Sequence, residues 1–265
     1  MRSLNADMVD FLDTLAADAR RTIAEGYYDV EQEAPSAKQS LRRAIEGCTL
    51  NPVIAEVKKA SPSLGLIRPG ADPTKVAQAM EANGAIGISV LTEPIHFKGD
   101  IHALRKVREV VNVPLLMKDI ILDPVQLKAA HRTGADAVLL IQALFDRGHS
   151  RCDLDSMIAD AEALGLEVLL ETHTGDEFRS ALHSDADLMG INNRDLTNLT
   201  VDLGVTESVL GENDPRDRVV VSESGIRSLE DIQRLREAGA RAFLVGSAIM
   251  QSPDIGGTVR RLVGA

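Results

Sequence analysis

The chain has 265 residues, 44% of them hydrophobic and 26% charged, a length that suits one complete (β/α)8 barrel and also admits two smaller domains. No window approaches the roughly 18 continuous apolar residues of a membrane span, and Met1 to Asp7 carry no apolar signal core, so the cytoplasm is the expected compartment. A formal net charge of −11 argues against nucleic acid or an anionic membrane as partner, and an anionic small substrate would need a local reversal of sign.

In chain order, the first signal is helical. Met8, Phe11, Leu12, Leu15 and Ala19 recur at helical spacing, with Asn5 in place as an N-cap and Gly26 as a stop. A second helix is predicted from about Ser36, after Pro35, to Glu46, ending at Gly47. Residues 1–50 are therefore expected to form a helical extension packed on the remainder, residues 51–265, as one structural domain. From Pro52 the texture changes to eight short apolar runs: PVIAEV, AIGISVL, VPLLMK, DAVLLI, LEVLLE, DLMGIN, RVVVSE and AFLVGS. Helical segments lie between them at Pro73 to Asn83, Asp123 to Thr133, Asp153 to Leu164 and Ser228 to Ala238. Gly84-Ala85, Gly134-Ala135 and Gly239-Ala240 have the form of helix-to-strand turns. Eight such units, with runs apolar enough to be covered on both faces, predict an α/β fold closed as a (β/α)8 barrel with an N-terminal helical extension. Neither a GxGxxG nor a P-loop follows the first run, which weakens a dinucleotide-binding reading. Cys48 and Cys152 fit no disulfide or metal-ligand spacing.

Barrel enzymes work at the C-terminal ends of their strands, where this chain places its polar residues. The first run ends Glu56-Val57-Lys58, and a period of two puts Ile54, Glu56 and Lys58 on one face. Later runs end in Lys118-Asp119, Glu171, Asn192-Asn193-Arg194, Glu223-Ser224-Gly225 and Gly246-Ser247. A single strand-end charge is ordinarily a solvated rim residue. Two lysines and two glutamates at matching depth are expensive unless paired or used. Small residues after the last two strands, Ser224, Gly225, Gly246 and Ser247, expose backbone N–H groups where barrels commonly bind phosphate, a feature that names no reaction. His173 is expected to turn to the other face or into the loop, and all six histidines are read as structural or surface residues.

The run Ile54-Ala55-Glu56-Val57-Lys58-Lys59-Ala60-Ser61-Pro62-Ser63 closely resembles the first-strand signature of the indole-3-glycerol phosphate synthase family. Leu116 to Asp119, Glu171 to His173, Gly190 to Leu196, Ser222 to Ile226 and Leu244 to Ser247 resemble its later motifs, in order. The resemblance implies ring closure of 1-(2-carboxyphenylamino)-1-deoxyribulose 5-phosphate to indole-3-glycerol phosphate, carbon dioxide and water, in tryptophan biosynthesis, with no cofactor and no metal. It implies Lys118 as general acid, Glu171 as acid or base of the dehydration, Lys58 on the substrate carboxylate, and Glu56, Asn192 and Glu223 as orienting groups. Ser61, Phe97, Arg194 and Ser224 would line the substrate, with Gly225, Gly246 and Ser247 at its phosphate. The implied partner is this small anionic substrate alone, for a monomer or weak homo-oligomer.

The chemistry favours the same residue types. Attack of an aromatic carbon on a ketone needs a proton donor at the carbonyl, and neighbouring cations are expected to lower the lysine's pKa for that purpose. Three positions depart from the family pattern: Leu64, Asp100 and Ile120. With 3% aromatic residues and no Trp, stacking on the anthranilate ring rests on Phe97 and aliphatic side chains. A related sugar-phosphate isomerase and a catalytically silent binding paralogue are the competing readings. The first commonly uses Asp or Cys at strand ends, and no such residue is seen on the first strand, while the second is disfavoured by the intact Lys118 and Glu171.

Overall fold

The computed structural model describes residues 10–31, 38–62 and 64–264. Eight parallel strands close into a barrel: β1 (Val53–Val57), β4 (Gly87–Leu91), β5 (Leu115–Lys118), β6 (Ala137–Ile141), β7 (Glu167–Thr172), β8 (Leu188–Asn192), β9 (Val219–Glu223) and β10 (Ala242–Val245). β1 closes the ring by pairing with both β4 and β10. A small antiparallel hairpin, β2 (Ala60–Ser61) and β3 (Gly65–Leu66), rises from the loop after β1. Each of the eight predicted runs coincides with one barrel strand, β7 reaching one residue past its run to Thr172.

The helices are α1 (Phe11–Ala24), α2 (Leu41–Glu46), α3 (Pro73–Glu81), α4 (Ile101–Arg108), α5 (Pro124–Thr133), α6 (Gln142–Asp146), α7 (Leu154–Ala163), α8 (Gly175–Ala181), α9 (Gly204–Glu212), α10 (Leu229–Glu237), α11 (Ser247–Gln251) and α12 (Ile255–Val263). Four of them coincide with predicted segments to within two residues at each end. Their starts are fixed locally: Asp72, Asp123, Asp153 and Ser228 each accept a backbone N–H of the first turn. The three Gly-Ala turns have their glycines at φ of +97°, +88° and +113°, where a side chain would be strained.

Strand alternation divides the apolar residues into two clusters. Val53, Ala55, Ile88, Met117, Leu140, Met189 and Phe243 face outward and pack under the helices. Ile54, Leu116, Leu139, Leu169, Leu188, Val221 and Leu244 face inward and fill the barrel. Continuing that inward set by two residues gives Glu56, Lys118, Glu171, Glu223 and Gly246, and by four from Leu188 gives Asn192, so one periodicity builds both the core and the ring of groups above it.

The N-terminal segment touches both ends of the barrel. At the base, Leu41 and Ile45 of α2 belong to the inward cluster, Ser40 and Arg42 bond to Glu167 at the start of β7, and Gln39 N donates to Asp136 before β6. At the mouth, α1 buries Leu12, Leu15, Ala16 and Ala19. Its acidic residues grip the loops after β4 and β6: Asp18 meets His96 at 2.7 Å, Asp13 meets His149 at 2.8 Å, and Asp10 meets Arg147. The predicted starts shift here. Asp10 is the N-cap of α1 and Ser40 that of α2, whose extent is shorter than the Ser36–Glu46 expectation. Asn5, Met8, Pro35 and Ser36 lie outside the described residues. No helix among the described residues is long and apolar enough to cross a membrane.

Candidate active site

The mouth holds a cavity of about 620 Å3. The strand ends contribute Glu56, Lys58, Lys118, Glu171, Asn192 and Glu223 to its wall, the following loops contribute Ser61, Phe97, Arg194, Ser224, Gly225, Gly246 and Ser247, and α1 adds Phe11 and Leu15. All thirteen residues singled out in the sequence therefore surround one cavity. Of the three departures, Leu64 and Ile120 also line it, whereas Asp100 is the N-cap of α4, accepting from His102 N at 2.9 Å.

Lys118 is the hub. Its Nζ donates to Glu171 Oε2 at 3.0 Å and to Glu223 Oε2 at 2.9 Å, and both carboxylates are buried. Burial alone would lower the pKa of this ammonium, but Glu171, Glu223 and Glu56 outweigh it and raise it. The expectation of a lysine made acidic by neighbouring cations is thus corrected: its neighbours are carboxylates, and it stays charged.

The two carboxylates diverge. Burial works to raise both. For Glu171 the Lys118 charge and His173 win, and the group is held ionised. For Glu223 burial exceeds the pull of Lys118, the charge of Glu171 adds to it, and its pKa is raised. One buried oxygen of Glu223, Oε1, has no hydrogen-bond partner among the described residues. Gly190 makes room for that oxygen, since a Cβ there would sit 2.5 Å from it.

Lys58 forms a second pair, with Nζ 2.6 Å from Glu56 Oε1. Glu56 lies so close to Gly246 that any side chain there would overlap its carboxylate, which gives this glycine a packing role as well as a place on the cavity wall. Across the mouth, Ser224 (φ +67°) and Gly225 (φ +86°) form a left-handed turn after β9. Asn193 holds that turn: its Nδ2 donates to the carbonyls of Glu223 and Ser224, and its Oδ1 accepts from Thr206. Asn192 Oδ1 accepts the backbone N–H of Arg194 at 3.0 Å. Glu93 shapes the loop after β4 by accepting from Ile95, His96 and Phe97, which sets Phe97 on the wall. Among the described residues no group of three or more His, Cys, Asp or Glu side chains is placed to hold a metal ion.

A family model for indole-3-glycerol phosphate synthase matches residues 12–262. The chain belongs to that family. It is 46% identical over 214 residues to an indole-3-glycerol phosphate synthase of Dehalococcoides mccartyi, covering 80% of this chain and 81% of the relative. It is 39% identical to that of Azospirillum brasilense over 97% of this chain and all of the relative, and 47% identical to that of Halobacterium salinarum over 84% and 83%. Among solved structures, a thiamine phosphate pyrophosphorylase from Pyrococcus furiosus has the same fold, with a TM-score of 0.58 at 18% identity over 84% of this chain and 96% of that one.

Within this barrel, three residues of the site were given no functional role in the sequence reading: Asn193, Glu93 and His173. The first two act through backbone groups whose positions no sequence pattern reports. His173 was legible, because it lies two residues beyond Glu171 and the period of two keeps both on one side. It is neither a surface residue nor turned away: its side chain is 12% exposed, with Nε2 3.3 Å from Glu171 Oε1.

Proposed function

We propose that the protein is a carbon–carbon lyase that converts 1-(2-carboxyphenylamino)-1-deoxyribulose 5-phosphate to indole-3-glycerol phosphate, carbon dioxide and water in the cytoplasm. The observation that carries this reading is the Lys118 ammonium shared between two buried carboxylates at the floor of an otherwise largely apolar cavity.

The aromatic ring lies against Phe97, Ile120 and the inward aliphatic residues Leu139 and Leu244. The phosphate meets the backbone of Gly225, Gly246 and Ser247, where α11 begins without a side-chain cap. Held at both ends, the flexible substrate brings its carboxyl-bearing ring carbon to its own ketone, which removes much of the entropic cost of closure.

As that bond forms, Lys118 donates a proton to the ketone oxygen. A lowered pKa is unnecessary, because the acceptor becomes an alkoxide, far more basic than the amine. Lys58 holds the substrate carboxylate, and its prior pairing with Glu56 keeps the grip partial. When the carbon–carbon bond to the carboxylate breaks, carbon dioxide leaves, its electron pair restores the aromatic ring, and Lys58 returns to Glu56. Glu223, whose raised pKa favours a retained proton, resupplies Lys118. In the dehydration Glu171, held ionised, takes a proton from the ring methylene while Lys118 protonates the departing hydroxyl. Asn192, Arg194, Ser61 and Ser224 orient the chain between the two ends.

The test is the appearance of indole-3-glycerol phosphate fluorescence from synthetic substrate, with Lys118→Ala compared against the unaltered protein. Removal of a general acid is expected to lower kcat by roughly 10²- to 10⁴-fold. A folded, unaltered protein that binds the substrate and does not turn it over would identify a silent paralogue.

A further inference from the structure

We propose that His173 is a positioning residue that fixes the orientation and charge of Glu171, an inference that rests on the acid/base reading of that carboxylate. His173 follows the last residue of β7 and precedes Thr174, the N-cap of α8. Its imidazole stands between two carboxylates: Nε2 is 3.3 Å from Glu171 Oε1, and Nδ1 is 3.4 Å from Glu177 Oε2. Nε2 makes no hydrogen bond among the described residues, so its contact with Glu171 is one of charge. Two carboxylates flanking one buried ring favour the charged ring, in which both nitrogens carry a proton.

Glu177 is itself fixed. Its Oε2 accepts the backbone N–H of His173 at 2.8 Å, and its own N–H donates to Thr174 Oγ1 at 3.1 Å. The ring is thereby anchored on the outer side by α8 and presents its other nitrogen to the site. On the inner side, Glu171 meets His173 through Oε1 and Lys118 through Oε2, so rotating the carboxylate loses one cation or both.

The groups around this row are Lys118 from β5, Asn192 from β8, Glu223 from β9 and Glu177 from α8, with Asp202 and Ser208 lining the shallow pocket outside the ring. Burial would lower the His173 pKa, but Glu171 and Glu177 outweigh it and push it up to about 9. The charge matters when Lys118 gives its proton to the substrate. Glu171 then loses the cation on Oε2, and the imidazolium on Oε1 keeps it an anion ready to take the methylene proton.

The experiment compares His173→Leu with His173→Gln, which keeps an N–H donor and lacks the charge, and with Glu177→Gln. For His173→Leu, kcat is expected to fall by up to about 10²-fold, the scale of a misplaced catalytic group, while KM changes by less than about threefold, as for a group that does not touch substrate. The acidic limb of the kcat–pH profile moves upward, because loss of a neighbouring cation raises the Glu171 pKa. His173→Gln recovers part of kcat with the limb still displaced, and Glu177→Gln displaces it by a smaller amount. A His173→Leu protein with unchanged kcat and limb overturns the proposal. So does one whose lower kcat accompanies a lower thermal midpoint with the limb in place, which marks a purely structural residue. A readout independent of turnover is the 15N NMR titration of the His173 ring, expected to keep both nitrogens protonated through about pH 8 in the unaltered protein and to titrate lower in Glu171→Gln. An unaltered protein without turnover defeats the proposed reaction. A ring titration insensitive to Glu171→Gln defeats the pairing.

Discussion

Asp119, next to Lys118 in the chain, faces away from it and is 2% exposed. It accepts from Tyr28, from Thr92 and from Ile120 N, three donors that favour the ionised form, yet burial prevails and its pKa is pushed up to about 6. An acid whose pKa is higher in the folded state than the unfolded value of 3.8 contributes stability that is present below that value and lost as pH rises through about 6. The difference is about 2 pH units, or about 3 kcal/mol. Asp119→Asn cannot ionise, so relative to this variant the unaltered protein is expected to lose stability between about pH 4 and 6. Urea titrations across that range provide the comparison, and parallel curves for the two proteins would count against the assignment. At this scale the sequence was informative wherever a residue acts through its own side chain and strand position. Glu56, Lys58, Lys118, Glu171 and Glu223 were readable because alternation fixes their face. The charge state of Lys118 was not, since it depends on which strand ends lie across the barrel, and pairing Lys118 with Glu171 and Glu223 needs the closed ring.

The element that most exceeds its sequence signal is α1. Its apolar stripe predicted a buried face, and Phe11 and Leu15 prove to line the cavity while Asp10, Asp13 and Asp18 hold the loops after β4 and β6. Those ion pairs are partly exposed and individually worth little, on the order of 1 kcal/mol or less. The buried side chains do more. We expect a chain beginning at Ser40 to keep its barrel, because α2 and the bonds of Ser40 and Arg42 to Glu167 remain, and to bind substrate more weakly because one apolar wall is gone. A KM raised by roughly tenfold, about 1.4 kcal/mol, with kcat less affected, is the anticipated result in the fluorescence assay. Unchanged constants in a folded truncated protein would refute the role of α1 as a cover. The hairpin β2–β3 left no comparable sequence signal: two residues per strand, one of them Gly65, are too few to show a period.

Across the whole molecule the two ends of the barrel divide the labour. The mouth carries the groups placed in the reaction, and the base carries packing and the bonds to Asp136 and Glu167, with Leu41 of α2 fully buried against Gly87, where its Cδ1 would lie 2.8 Å from a Cβ. Leu41→Ala is therefore expected to cost about 2–5 kcal/mol of stability and to leave kcat unchanged at temperatures where the variant is folded. Chemical denaturation and turnover measured on the same sample separate the two, and a loss of kcat in the folded variant would contradict this division. The barrel itself was legible because its strands, covered on both faces, read as eight apolar runs punctuated by caps and Gly-Ala turns. The docking of α2 was not, because six residues, of which only Leu41 and Ile45 are buried, do not specify which surface receives them.

That plug also sets an order of events during synthesis. Ser40 and its partner Glu167 are 127 residues apart, which at roughly 5–20 residues per second is a delay of about 6–25 s. Throughout that interval Leu41 and Ile45 leave the ribosome before the chamber they will seal exists. Residues 40–45 are therefore made well before the strand that receives them, and their two apolar side chains wait for it exposed.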